Sequence, residues 1–132
     1  MNRPGGPTEL FALLTAVQAI HSVEECWFRL YDVLAPARAV AGLFSTDPAW
    51  GFAIGNALVV AAGVWTYVAR VRPRHLSWRI WAWTWALGEG ANGLSHITFA
   101  LLRRGYFPGV ITAPLLLGLS VALARRLMRQ PA

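Results

Sequence analysis

The sequence contains no lysine. All twelve basic residues are arginine, set against six acidic ones, for a net charge of +6. Charged residues make up only 14% of the 132, where a soluble domain carries about a quarter. The apolar fraction is 56% and the mean hydropathy +0.45. So few charges cannot cover the apolar surface of a chain this size in water. The shortage excludes an ordinary soluble domain and points to lipid as the solvent. A second cysteine is also missing. Cys26 stands alone, which excludes an intrachain disulfide and leaves a small buried hydrophobe as its plainest role. No internal repeat and no low-complexity segment is present, and the length suits a single domain.

A basic chain with a pI near 11 invites a nucleic-acid reading. The arginines argue against it, because they sit at the ends of apolar runs rather than along one face. Flanking arginine is the mark of a membrane protein. The first apolar run holds Glu9, Gln18, His21, Glu24 and Glu25, and shows no small-residue cleavage site. It reads as a retained helix, not a signal peptide.

Four spans are expected: about Glu9 to Tyr31, Trp50 to Ala69, Leu76 to Leu102, and Pro108 to Ala124. Each reaches the roughly 20 residues that carry a helix across about 30 Å of hydrocarbon, the last only just. Helices follow because each must satisfy its own backbone polar groups. Asp32 to Pro48 reads as a loop with a short interfacial helix over Ala35 to Phe44. The fold expectation is an all-α, four-helix transmembrane bundle. Arg3, Arg70, Arg72, Arg74, Arg79, Arg125, Arg126 and Arg129 fall on one side, against Arg29, Arg38, Arg103 and Arg104 on the other. The heavier side should be cytoplasmic, which puts both termini there and makes the chain a multi-pass protein of the inner membrane. Trp78 and Trp81 suit an interfacial aromatic belt, while the deeper Trp85 either lines a pocket or packs.

The residues that could carry chemistry sit inside these spans. His21, Glu24 and Glu25 lie near the centre of the first, where a charge costs several kcal/mol. At helical spacing Thr15, Gln18, His21 and Glu25 form one polar stripe, with Glu24 beside it. The third span supplies Glu89, Asn92 and His96 on one face, with Trp85 a turn below. Counted from the helix starts, the two stripes match in depth, which implies a shared cavity near the bilayer midplane. Asn56 of the second span is a weaker candidate. Two carboxylates side by side in low dielectric separate into an acid and a base, the equipment of general acid–base catalysis. The same His21, Glu24, Glu25, Glu89 and His96 would also serve as ligands for a divalent metal, although their order is not the Glu-x-x-His of di-iron bundles. A hydrogen-bonded network joining two helices is the non-catalytic alternative. Tyr106-Phe-Pro-Gly109 reads as a turn into the fourth helix, from which Tyr106 could donate a hydrogen bond to the site.

The set His21-x-x-Glu24-Glu25, the later His96 and Tyr106-x-Pro-Gly109 resembles the HXXEE domain family of small bacterial membrane proteins. The resemblance runs from about Ala16 to Ala113 and implies an enzyme of undetermined reaction. Glu24-Glu25-x-x-x-Arg29 also resembles the first motif of the glutamate-type intramembrane CAAX proteases. That family's later Phe-x-x-x-His and His-x-x-x-Asn motifs are missing, and the chain is short for its fold.

The functional expectation is an integral membrane enzyme doing acid–base chemistry on a lipophilic small molecule. Its reaction class is isomerisation, cyclisation or hydrolysis, for instance of an epoxide or isoprenoid-like group. Glu24 and Glu25 act as acid and base, His21 and His96 tune or relay protons, and Glu89 assists. Asn92, Tyr106, Gln18, Trp85, Arg29 and Asn56 contact substrate. No cofactor is required on this reading, and no nucleic acid is a partner. The alternatives are a metal-dependent enzyme, a proton-coupled carrier that would need a homo-oligomer, and a binding subunit.

Overall fold

A computed structural model describes residues 5–129, so Arg3 lies outside the described residues. Among the described residues every regular element is helical. Four long helices, α1 (Pro7–Trp27), α4 (Pro48–Thr66), α5 (Trp78–Arg103) and α6 (Ala113–Met128), pack side by side. Two short ones, α2 (Leu30–Val33) and α3 (Ala35–Ala41), link α1 to α4. Proline opens α1 and α4, where its missing N–H costs nothing. The Asp47 side chain caps α4, accepting from the backbone N–H groups of Ala49 (2.8 Å) and Trp50 (3.3 Å).

Helix α4 runs on through a π-helical turn, Tyr67–Val71, closed by the Arg72 N–H on the Tyr67 carbonyl. The combined element Pro48–Val71 is long and apolar enough to cross a membrane. It alone passes that test among the described residues, and the reason lies in the sequence. Helices α1 and α5 carry ionisable residues that lower their mean hydropathy, and α6 is only 16 residues long.

Helix α1 packs between α4 and α6, and α5 lies along α6. Gly93 makes the α5–α6 approach close: a Cβ there would stand 2.9 Å from the Ala113 carbonyl oxygen. One apolar cluster, built on Phe11, Leu14, Leu116, Leu123 and Leu127, fills the end where α1 begins. At that end Arg79 donates to the Leu127 carbonyl at 2.9 Å, tying the start of α5 to the end of α6. A second cluster, around Leu30, Tyr31, Phe52 and Phe107, fills the opposite end.

The distribution of polarity is inverted relative to a soluble bundle. Gln18, His21, Glu24, Glu25, Glu89 and His96 are buried. Leu13, Ile20, Val23, Leu58, Ile80, Leu87, Leu94 and Leu115 are exposed. Helix α1 divides along its length, with the exposed Leu13, Ile20, Val23 and Trp27 on one side and the polar stripe on the other.

Two boundaries differ from the sequence expectation. The first helix ends at Trp27 rather than Tyr31. Arg29 adopts a left-handed conformation, φ 55°, and starts the separate turn α2. The last helix starts at Ala113 rather than Pro108, because Gly109 takes a φ of +94°, outside the helical region, and the Thr112 N–H that would return to Pro108 goes to Glu24.

Candidate functional site

Helix α1 delivers His21 and Glu25 to one face, four residues apart, and α5 brings His96 against them. His96 Nε2 lies 3.0 Å from Glu25 Oε1, and His21 Nε2 lies 3.4 Å from the same oxygen. The two imidazole rings stand perpendicular, with centroids 4.7 Å apart. His21 is fully buried, and His96 and Glu25 are nearly so, at 3% and 6% exposed. His21 Nε2 has no hydrogen-bond partner. The three candidate ligand atoms lie within 4.8 Å of one another, so His21, Glu25 and His96 could hold a metal ion.

The segment between α5 and α6 closes this cluster from one side. Gly109 passes directly over the two rings: a Cβ there would stand 2.5 Å from His96 Nδ1 and 2.8 Å from His21 Cε1. Its φ of +94° is open to glycine and hostile to any other residue. His96 Nδ1 donates to the Pro108 carbonyl at 2.6 Å, and Phe107 packs on the His96 ring at 5.5 Å. His21 Nδ1 reaches the Thr112 hydroxyl at 2.7 Å.

Glu24 is assigned a different task from Glu25. Its Oε1 accepts from the Tyr106 hydroxyl (2.9 Å) and from the backbone N–H groups of Gly109 (3.1 Å) and Ile111 (3.0 Å). Its Oε2 accepts from the Thr112 backbone N–H (3.0 Å) and the Thr112 hydroxyl (2.6 Å). Five donors on one carboxylate, clustered at the N-terminus of α6, form an anion site for a residue of α1. The two glutamates are neighbours in sequence but not an acid–base pair in space. Partial burial and the bond to Glu24 push the Tyr106 phenol up to about 12, so it remains a proton donor.

Glu89 is buried two turns from His96 on the same face of α5, within electrostatic reach of His21 and Glu25. Asn92 donates to it at 3.5 Å. The remaining candidates are placed apart from the cluster. Gln18 donates to Ser22 at 3.2 Å within α1. Trp85 donates to Thr66 at 3.2 Å and packs edge-on against Phe11. Arg29 pairs with Asp32 at 2.6 Å on the exposed surface. Asn56 lines a groove of about 680 Å³ between α1 and α4, together with Ala19, Ser22, Cys26 and Ala57.

The depth also differs from expectation. Because α1 ends at Trp27, Glu25 lies about 12 Å past that helix's middle. Glu89 is near the middle of α5 and His96 about 8 Å beyond it. The cluster therefore sits toward the far end of the bundle rather than at its midplane. Thr112 is the functional residue that sequence reasoning missed. The available signal was a threonine directly before the Ala-Pro start of an apolar run, the usual composition of a helix N-cap.

A family model described as "Protein of unknown function with HXXEE motif" matches residues 12–123. The chain belongs to the HXXEE family. The match takes in every residue of the cluster and of the segment that covers it. No curated protein and no solved structure matches the chain. In this member of the HXXEE family, the His and second Glu of the motif face the later histidine. The first Glu of the motif holds the Tyr106-x-Pro-Gly109 segment over them.

Proposed function

We propose that this chain is a multi-pass enzyme of the bacterial inner membrane that performs acid–base chemistry on a lipophilic small molecule. The observation that carries the reading is the buried meeting of His21, His96 and Glu25, with one histidine nitrogen lacking any partner. A network serving only to join helices needs one His–Glu pair, whereas here three ionisable side chains from two helices converge in one buried space. Polar groups held in place and left under-bonded are what a reacting molecule completes.

Four helices span the bilayer on this reading, with apolar side chains outward and ionisable ones inward. The end carrying Arg70, Arg72, Arg74, Arg79, Arg125, Arg126 and Arg129 is cytoplasmic. The non-helical segment 105–112 is tolerated because Phe107, Pro108 and Gly109 are buried in protein and the N–H groups of Gly109, Ile111 and Thr112 bond to Glu24. Substrate approaches sideways from the bilayer through the groove between α1 and α4. Ser22 and Cys26, which line that groove, flank Glu25 on α1. Glu25 and the histidines exchange the proton, and Glu89 is the second carboxylate within reach. Isomerisation, cyclisation and hydrolysis all fit this equipment.

The test compares lipid extracts from cells producing the wild type or Glu25→Gln at equal levels. The expected result is a lipophilic species depleted and another formed only with the wild type. Identical extracts, or a change that persists with Glu25→Gln, would overturn the reading.

A further inference from the structure

The protons of the cluster can be counted from its hydrogen bonds. The Pro108 carbonyl has no proton to give, so at 2.6 Å the hydrogen must sit on His96 Nδ1. The Thr112 hydroxyl has one proton. It stands 2.6 Å from a Glu24 oxygen, and that pair would repel unless the proton lay between them. The hydroxyl therefore donates to Glu24 and accepts from His21, so His21 also carries its hydrogen on Nδ1. Each neutral ring then turns a bare Nε2 lone pair inward. Both lone pairs face the same carboxylate oxygen, at 3.0 and 3.4 Å.

Three acceptors meeting in a buried space with no hydrogen among them require a cation. A proton on each Nε2 would bridge both gaps only by placing two imidazolium charges around one buried carboxylate. A divalent metal bridges both. Ligand atoms about 2.0–2.2 Å from a tetrahedral ion stand roughly 3.3 Å from one another, close to the two histidine–Glu25 spacings of 3.0 and 3.4 Å. We propose that His21 Nε2, His96 Nε2 and Glu25 Oε1 bind one divalent transition-metal ion of the zinc class, leaving a further coordination position open. Two histidines and one carboxylate are the donor set of catalytic zinc sites and of open iron(II) sites. The supporting bonds fit as well. Metal-binding histidines use their other nitrogen on a carbonyl or a carboxylate-linked group, as Pro108 and Thr112–Glu24 do here. With those three atoms engaged by the ion, Glu89, buried two turns from His96 on the same face of α5, is the carboxylate left to exchange the proton.

This inference deepens the enzymatic reading but rests on the geometry, and its test does not use activity. The full-length protein in nanodiscs is stripped with a chelator and dialysed against Zn²⁺ or Co²⁺. Metal per chain, the visible absorption of Co²⁺ and the Tm are then measured. The expected result is one ion per chain, a Co²⁺ spectrum of low coordination number and a Tm raised by Zn²⁺. His96→Gln and Glu25→Gln should lose binding at least 100-fold, Glu24→Gln about 10- to 100-fold through the Thr112 bond. His75→Ala, altering a surface histidine, should leave it unchanged. Absence of stoichiometric binding in the wild type would overturn the proposal. So would binding that survives in a folded His96→Gln protein whose Tm still rises with Zn²⁺. A metal-loaded protein that converts no lipid would sink the enzymatic reading alone, whereas a protein that converts lipid but binds no ion would sink the metal site alone.

Discussion

Glu24 gathers five hydrogen bonds from one segment, while Glu25, one residue on, meets two imidazole nitrogens and no backbone donor. The difference is rotational. A step of 100° along α1 turns one carboxylate toward the N-terminus of α6 and the other toward α5. Glu24→Gln would aim an amide NH₂ at donors and leave buried N–H groups unpaired. It should cost roughly 2–3 kcal/mol of stability, read from unfolding in mixed micelles. Gly109→Ala should do more local damage. The φ of +94° alone costs an alanine about 1–2 kcal/mol, and its methyl would collide with both rings. Its expected outcome is a lower Tm together with lost binding of any ligand at His21 and His96. The sequence made the His and Glu of the cluster readable, because they are too costly in an apolar run to be incidental, but it did not separate them from Gln18, Trp85, Arg29 and Asn56, which lie apart. It did not make the division of labour readable. Which of two adjacent carboxylates meets a loop depends on where another helix starts.

At the scale of elements, the informative boundaries are the end of α1 and the start of α6. The expected helix from Pro108 fails at Gly109, whose φ of +94° is outside the helical region. The Pro108 carbonyl goes to His96, and the N–H groups of Gly109, Ile111 and Thr112 go to Glu24. Local propensity cannot report such long-range bonds. The long apolar runs themselves were legible, since α4 and α5 start within two residues of their expected positions. The α2–α3 link carries its own prediction. Asp32 bridges Arg29 and Arg38, and its hydrogen bond to Arg29 holds its carboxyl below the usual range. A depressed carboxylate stabilises fully above its unfolded value of 3.8 and loses that contribution as pH falls through the folded value. Hydrogen exchange in Leu30–Ala41 should therefore be insensitive to pH-induced opening from 7 down to about 5. Protection should drop once the solution is more acidic than the unfolded value. Early loss of protection near pH 6 would contradict the assignment.

At the scale of the whole molecule, the inverted polarity and the arginine asymmetry point to one arrangement. The long apolar runs made the helical class legible, because runs of about 20 residues suit a helix that satisfies its own backbone groups. The depth of the site was not legible, since it depended on α1 breaking at Phe28–Arg29. Topology can be read with single cysteines in a Cys26→Ala background. A thiol placed at His75→Cys should react with a membrane-impermeant maleimide only after the inner membrane is opened, and one at Thr46→Cys without opening it. The most direct test of the central claim, that His21, Glu25 and His96 form a reacting centre, is solvent isotope transfer. Purified protein in nanodiscs is incubated with lipid extract in D₂O or H₂¹⁸O, and the lipids are weighed by mass spectrometry. The account predicts label entering a lipophilic product with the wild type and none with a folded Glu25→Gln protein. Label entering equally with both would contradict it.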